Sequence, residues 1–387
     1  MCAELDAGGG GGSTVKSNAY VWTAPSVVDD LANRLAFTRR VAPTMTGQTL
    51  GIDATTLNNL LAYWCDEFDW SAQEQRIAAY PWVETETSAT PVRAVISPGP
   101  SRAPVVLLLH GWPDSVLRFE RLFPLLTDLT VVAPALPGFP FAAPIPQGGM
   151  SAVALADAIA DAMEEFGFDR YVISAGDVGC DVAEALASRN PGVVLALHLT
   201  DVSQYHFLVD PPKDLSPVER DYIAYGHQWQ AAEGGYMHEQ STKPDTLAAA
   251  LGDSPVGLAA WIGEKLISWT DCDGDLASVF SYDEALAWIT AYWVTGTIGT
   301  SFAPYAAGGS KEWPRIDVPS VFTMFAKDLV NAPREFAERF FSVVEWREHS
   351  IGGHFAAWER PREYSEGIRA ALSHVAPKAN HAGGRRT

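Results

Sequence analysis

The segment that most constrains this chain is Tyr171-Val-Ile-Ser-Ala-Gly-Asp177-Val-Gly179-Cys180. Tyr171–Ala175 suits a strand buried on both faces, small residues follow, and a helical pattern begins at once. Similar short runs occur at Val105–Leu109, Leu129–Pro134 and Val193–Leu199, with the amphipathic segment Ala152–Phe166 between the second of the four strands in chain order and the third. Strands resume at Val318–Phe325 and Val343–Trp346, with helices around Arg334–Phe341 and Pro361–Val375. Strand–helix alternation of this kind predicts an α/β fold with a mostly parallel sheet.

Two stretches break the alternation. From about residue 204 to 305 the sequence is helix-like and rich in tryptophan (Trp229, Trp261, Trp269, Trp288, Trp293). It predicts a helical lid inserted between strands, over the carboxyl ends where ligands bind in such sheets. Residues 20–95 predict an extra helical N-terminal domain. Pro25 and Ser26 open a helix ending near Arg39-Arg40, Asp53 caps a second carrying Leu57, Leu60, Leu61, Trp64, Cys65 and Phe68, and Asp69 caps a third that Pro81 stops. The core then comprises residues 96–203 and 306–376, and residues 1–19 and 377–387 read as loose tails.

The turn at Asp177 lifts one side chain clear of the sheet, which is how such folds present a nucleophile. Taken alone, Gly-Asp-Val-Gly is an ordinary helix cap, because Asp is favoured there. Three companions change that reading. His110-Gly-Trp-Pro113 closes the strand Val105–Leu109, where a loop can donate a backbone N–H to an oxyanion; Trp112 and Val178 are the expected donors. His354 stands between a glycine turn and a helix start in Gly353-His-Phe-Ala-Ala-Trp. Asp328 follows the strand Val318–Phe325. Nucleophile, acid and histidine in the order 177, 328, 354 match a hydrolase set. No Gly-x-Ser-x-Gly occurs, so a serine mechanism has no nucleophile.

Composition works here by exclusion. Lys and Arg total 27 against 47 Asp and Glu, a formal charge of −20, which repels nucleic acid and any substrate with several negative charges. Cys2, Cys65, Cys180 and Cys272 form neither a zinc pattern nor a redox pair, and a reduced, cytoplasmic setting is expected. No run of eighteen apolar residues suggests a membrane span. Asp271-Cys-Asp-Gly-Asp275 resembles a calcium loop, but its glycine is misplaced and residue 282 is Tyr where a bidentate Glu belongs. No metal site is predicted.

With these residues in view, the chain resembles an α/β-hydrolase of the epoxide hydrolase group, in its microsomal-type branch with an N-terminal domain. The likeness covers roughly residues 20–375. It is carried further by Tyr63-Trp-Cys-Asp-Glu-Phe-Asp-Trp, Gly235-Tyr-Met-His, Thr242-Lys-Pro-Asp-Thr, Asp253-Ser-Pro-Val-Gly and Tyr292-Trp-Val-Thr-Gly-Thr. The pattern also resembles actinobacterial homologues, including enzymes of enediyne antibiotic pathways, while detoxification and catabolism are equally compatible.

The resemblance implies hydrolysis of an epoxide to a vicinal diol through an aspartyl ester, with water as the second reactant and no metal or organic cofactor. It implies Asp177 as nucleophile, His354 as general base and Asp328 as charge-relay acid. Two lid tyrosines, by position Tyr236 and Tyr305, would donate to the epoxide oxygen. Trp112, Pro113, Val178, Met237 and Phe355 are expected around the substrate, which is expected to be aryl or polycyclic. The family usually has Trp after the nucleophile, where this chain has Val178, so the pocket should be wider there. The membrane anchor of the animal enzymes has no counterpart in this sequence, and the extra helical unit offers a surface for a homodimer. The rival readings are a haloalkane dehalogenase, which shares the aspartate but holds halide with that missing Trp, and a catalytically silent binding protein.

Overall fold

The computed structural model describes residues 15–375 except 40, 43, 46–49, 147, 309–310 and 312–313. Nine strands form one sheet: β1 (Lys16–Ser17), β2 (Trp82–Glu84), β3 (Arg93–Ser97), β4 (Val105–Leu109), β5 (Thr130–Ala135), β6 (Tyr171–Ala175), β7 (Val194–Leu199), β8 (Ile316–Lys327) and β9 (Phe341–Gly353). Their order is β1-β2-β3-β5-β4-β6-β7-β8-β9. The six strands from β4 onward run parallel, and β1 to β3 add an antiparallel edge through β5. Central β6 is buried along its whole length, as expected of a strand covered on both faces. Helices α4 (Ala152–Glu165) and α5 (Val178–Arg189) are the crossovers flanking it.

The N-terminal segment contributes both helices and strands. Helices α1 (Pro25–Ala36), α2 (Ala54–Asp66) and α3 (Trp70–Ala78) start where expected, with Asp53 accepting from the Thr56 N–H and Asp69 from those of Ser71 and Ala72. Helix α1 stops at Ala36, short of Arg39, and Arg40 lies outside the described residues. Cys65, expected on the packed face, is exposed. Residues 16–17, expected in the loose tail, pair with β2 instead, and Ala19 is fully buried. Strands β1 to β3 were not legible because each is short and lacks a continuous apolar run; the ladder that runs from β5 to β3, β3 to β2 and β2 to β1 imposes them.

Between β7 and β8 the chain is helical: α6 (Tyr205–Leu208), α7 (Pro217–Glu233), α8 (Gly235–Thr242), α9 (Pro244–Asp253), α10 (Pro255–Ser268), α11 (Tyr282–Thr295) and α12 (Ala303–Ala306). The N-terminal helices pack on this layer. Arg34 of α1 donates to the Asp253 carbonyl at 2.7 Å, and the Tyr63 and Tyr282 rings meet at 5.4 Å. The predicted helix Arg334–Phe341 shrinks to α13 (Arg334–Ala337), because buried Phe341 already belongs to β9. Helices α14 (Ala356–Glu359) and α15 (Pro361–Ser373) complete the chain.

Leu60 of α2 is fully buried, and its Cδ2 lies 3.7 Å from the position a Cβ on Gly263 of α10 would take. Leu60→Ala therefore removes packing between the N-terminal helices and the lid layer. The expected cost is about 2–5 kcal/mol, read as a lowered thermal unfolding midpoint.

Candidate active site

The order of strands in the sheet assembles the site. Neighbouring strands lie about 4.8 Å apart, and β4, β6, β7, β8 and β9 are consecutive neighbours. Their carboxyl ends deliver the loop with Trp112, then Asp177, Asp201, Asp328 and His354. The β8–β9 register sets Lys327 opposite Gly353, so the next residue on each strand, Asp328 and His354, also face each other.

Asp177 sits between β6 and α5 with φ 57° and ψ −133°, a conformation that costs a non-glycine residue about 1–3 kcal/mol. It occupies the N-cap position, yet its side chain makes no capping hydrogen bond. Instead Oδ1 accepts the Trp112 N–H at 2.8 Å, and Oδ2 lies 3.3 Å from His354 Nε2. Close approach requires the glycines. A Cβ on Gly111 would fall 2.5 Å from Asp177 Oδ1, and one on Gly176 would meet the Arg118 guanidinium at 2.7 Å. Val178 opens α5, where N–H groups have no partner within the helix.

His354 is buried, and its Nδ1 is 2.7 Å from Asp328 Oδ1, which also accepts the Leu329 N–H. With Nδ1 donating to Asp328, Nε2 is the atom presented to Asp177. Burial pulls the imidazole down, but the Asp328 and Asp177 carboxylates override it and lift its pKa to about 10. The two neighbouring carboxylates thus favour the protonated imidazole.

Tyr236 of α8 and Tyr305 of α12 enter from the lid. The Tyr236 ring stacks on Trp112 at 5.4 Å and 6°, and Tyr305 meets both rings edge-on at 6.0 Å. Burial, and then the negative charge of Asp177, push both phenols well above the ordinary tyrosine value. Both remain O–H donors across the physiological range.

Asp177, Val178, Tyr236, Met237, Tyr305, Asp328 and His354 all border one cavity of about 380 Å³. Trp112, Pro113 and Phe355, expected in its wall, stand behind it. Trp112 is fully buried beneath Tyr236, Pro113 is buried beside it, and Phe355 packs against Trp269 and His354. Trp112 and Trp269 instead pack against Tyr236 and fix its ring.

Several site residues escaped the sequence reading. Arg118 and Asp114, both fully buried, pair at 2.6 Å. Asp114 also accepts the Gly111 N–H, while Arg118 donates to the His354 carbonyl at 2.8 Å. Burial raises the pKa of Asp114, but Arg118 and His110 together more than offset that and hold it below the usual carboxylate value. Their spacing of four, just after His110-Gly-Trp-Pro113, was the available signal. The His354 N–H donates to the Trp269 carbonyl, and Tyr292 O–H to the Asp114 carbonyl. Asp201 accepts the Asp177 N–H at 3.2 Å; burial and the charge of Asp328 raise its carboxyl to about 7. Asp271, in the segment resembling a calcium loop, instead accepts the Gly352 N–H.

Known proteins resemble this chain over most of its length. Residues 18–119 match the family described as epoxide hydrolase N terminus, and residues 104–247 match the alpha/beta hydrolase fold. A relative from Stigmatella aurantiaca is 34% identical across 91% of this chain and 84% of its own length. Rabbit epoxide hydrolase 1 is 30% identical across 88% and 85%. The Aspergillus niger epoxide hydrolase structure superposes with a TM-score of 0.83 at 28% identity, covering 94% of this chain and 97% of the other. The Bombyx mori juvenile hormone epoxide hydrolase also gives 0.83, at 26% identity and 94% and 95% coverage. With both segments matched and near full-length relatives at this identity, the chain belongs to the epoxide hydrolase family, on the α/β-hydrolase fold.

Proposed function

We propose that the chain opens an epoxide to a vicinal diol through an ester on Asp177. The observation that carries this is the meeting, in one cavity, of a carboxylate, a histidine–carboxylate pair and two protonated phenols. Attack on an sp³ carbon by a carboxylate leaves an ester that water can still open, whereas serine would leave an inert ether.

The two oxygens of Asp177 have different surroundings and hence different parts. Oδ1 is held by the Trp112 N–H, so Oδ2 is the attacking atom. Oδ2 bonds to one ring carbon as that carbon's bond to the epoxide oxygen breaks. The oxygen takes the electron pair and a proton from Tyr236 or Tyr305. Asp177 thereby loses its charge, and with it one support for the high pKa of His354. The imidazolium can then release its proton, which restores the phenol, and neutral His354 becomes the base.

In the second step His354 takes a proton from water, and the hydroxide adds to the ester carbonyl. The negative charge develops on Oδ1, against the N–H groups of Trp112 and Val178. Collapse releases the diol and leaves Asp177 ionised beside the imidazolium, as at the start. Phenols aimed at this cavity suit an oxygen leaving group. Val178 has no side-chain N–H to hold a halide, which disfavours dehalogenation. Val153, Val178, Val202, Leu208, Met237 and Val330 line the cavity and favour an apolar body on the substrate, such as an aryl or polycyclic group.

A single turnover in oxygen-18 water should place the label on the Asp177 carboxylate, read by peptide mass spectrometry; an unlabelled Asp177 would overturn the covalent route. His354→Gln is expected to form the ester but not release it, leaving an adduct of substrate mass on Asp177. Tyr236→Phe and Tyr305→Phe should each slow ester formation about 10- to 100-fold, measured as the first-phase rate, with the double variant slower still.

A further inference from the structure

We infer that the cavity carries, beyond its apolar wall, a subsite centred on Asp181 that receives a hydrogen-bond donor, a hydroxyl or an ammonium, at the end of the substrate remote from the oxirane. This rests on the epoxide hydrolase reading above and specifies its substrate class.

Asp181 lies in the first turn of α5, four residues after the N-cap residue Asp177, about 6 Å further along the helix axis. Both border the cavity. The Oδ1 atom of Asp181 is fully engaged: it accepts from Ser203 Oγ at 2.5 Å and from Lys311 Nζ at 2.6 Å. Its Oδ2 has no hydrogen-bond partner among the described residues, and the side chain keeps 29% of its surface exposed. Lys311 also meets Glu184 at 2.7 Å, and Glu184 accepts from His206. One ammonium thus faces two carboxylates. Lys311 is engaged by Asp181 and Glu184, and the open lone pairs belong to Asp181. Such a site accepts hydrogen bonds and repels a carboxylate or phosphate.

The same geometry sets a length. The donor should sit about one helical turn from the carbon that Asp177 attacks, a separation matched by the two atoms attached at the para positions of a benzene ring. Gln204, Tyr205 and Ser241 make this end of the cavity polar, while Val178 near the nucleophile leaves width for the ring.

The test uses styrene oxides carrying 4-hydroxymethyl, 4-aminomethyl, 4-ethyl or 4-carboxyl groups, with the purified full-length chain. The 4-hydroxymethyl and 4-aminomethyl compounds should exceed the equally large 4-ethyl compound by about tenfold or more in kcat/KM, with the 4-carboxyl compound poorest. Asp181→Leu should bring the hydroxymethyl-to-ethyl ratio close to one, and Asp181→Asn should lower the aminomethyl preference by removing the charge. A wild-type ratio near one, or a ratio that survives Asp181→Leu, would overturn the subsite. Binding of the corresponding diols by calorimetry gives the same comparison without turnover. A chain that hydrolyses none of the epoxides yet binds the hydroxymethyl diol more tightly, in a manner lost in Asp181→Leu, would refute the hydrolase reading and uphold the subsite.

Discussion

The backbone at Asp177 is held where a side-chain-bearing residue would rarely rest, and much of the surrounding structure makes that conformation possible. The turn is closed by the Gly179 N–H on the Gly176 carbonyl and the Cys180 N–H on that of Asp177. Asp201 accepts the Asp177 N–H, and Trp112 binds the carboxylate. Several hydrogen bonds, each worth about 1 kcal/mol net, offset a strain of similar total size. Because the side chain leaves the helix axis at this angle, its carboxylate is free of the capping role that an aspartate at this position would otherwise take.

Beneath the turn lies a buried ion pair whose value is positional. Arg118 and Asp114 are both withdrawn from water, and such pairs rarely gain net stability over apolar packing. What they do is fix two loops at once. Asp114 orients the Gly111 peptide, next to the Trp112 donor, and Arg118 holds the carbonyl of His354. The loop that supports Asp177 and the loop that carries His354 are thereby tied through one guanidinium, although they follow strands at different places in the sheet. Removing either charge would leave the other buried without its partner.

How much of this was legible in the sequence follows from the range of the forces involved. Strands β4 and β6 could be read to the residue, because burial on both faces writes an unbroken apolar run. Asp177, Asp328 and His354 could be picked out because strand ends and glycine turns mark them locally. Asp201 could not, since Asp-Val-Ser after β7 looks like any loop, and only the parallel register beside β6 brings its carboxyl to the Asp177 N–H. Trp269 likewise looked like one more aromatic of the helical insertion, and it contributes a backbone carbonyl, which no residue-type pattern records. The antiparallel edge was hidden for the converse reason. Short, part-polar segments such as Trp82–Glu84 become strands only when a neighbour supplies the ladder.

The lid is bound to the catalytic loops themselves. Trp269, at the end of α10, accepts the His354 N–H, and the backbone around it leaves no room for a side chain on Gly353. Tyr292 of α11 donates to the Asp114 carbonyl, and Tyr236 stacks on Trp112. Arg121 in the core lies 4.0 Å over the Trp358 ring and donates to Glu284 of α11. Lifting these helices away would therefore release the His354 backbone and Trp112 along with the tyrosines. The insertion covers the cavity, and its tyrosines keep fixed separations from Asp177 and His354 because it is hydrogen-bonded to the main chain of His354 and Asp114. The N-terminal helices pack on α10 and α11 and so help to hold the insertion in place.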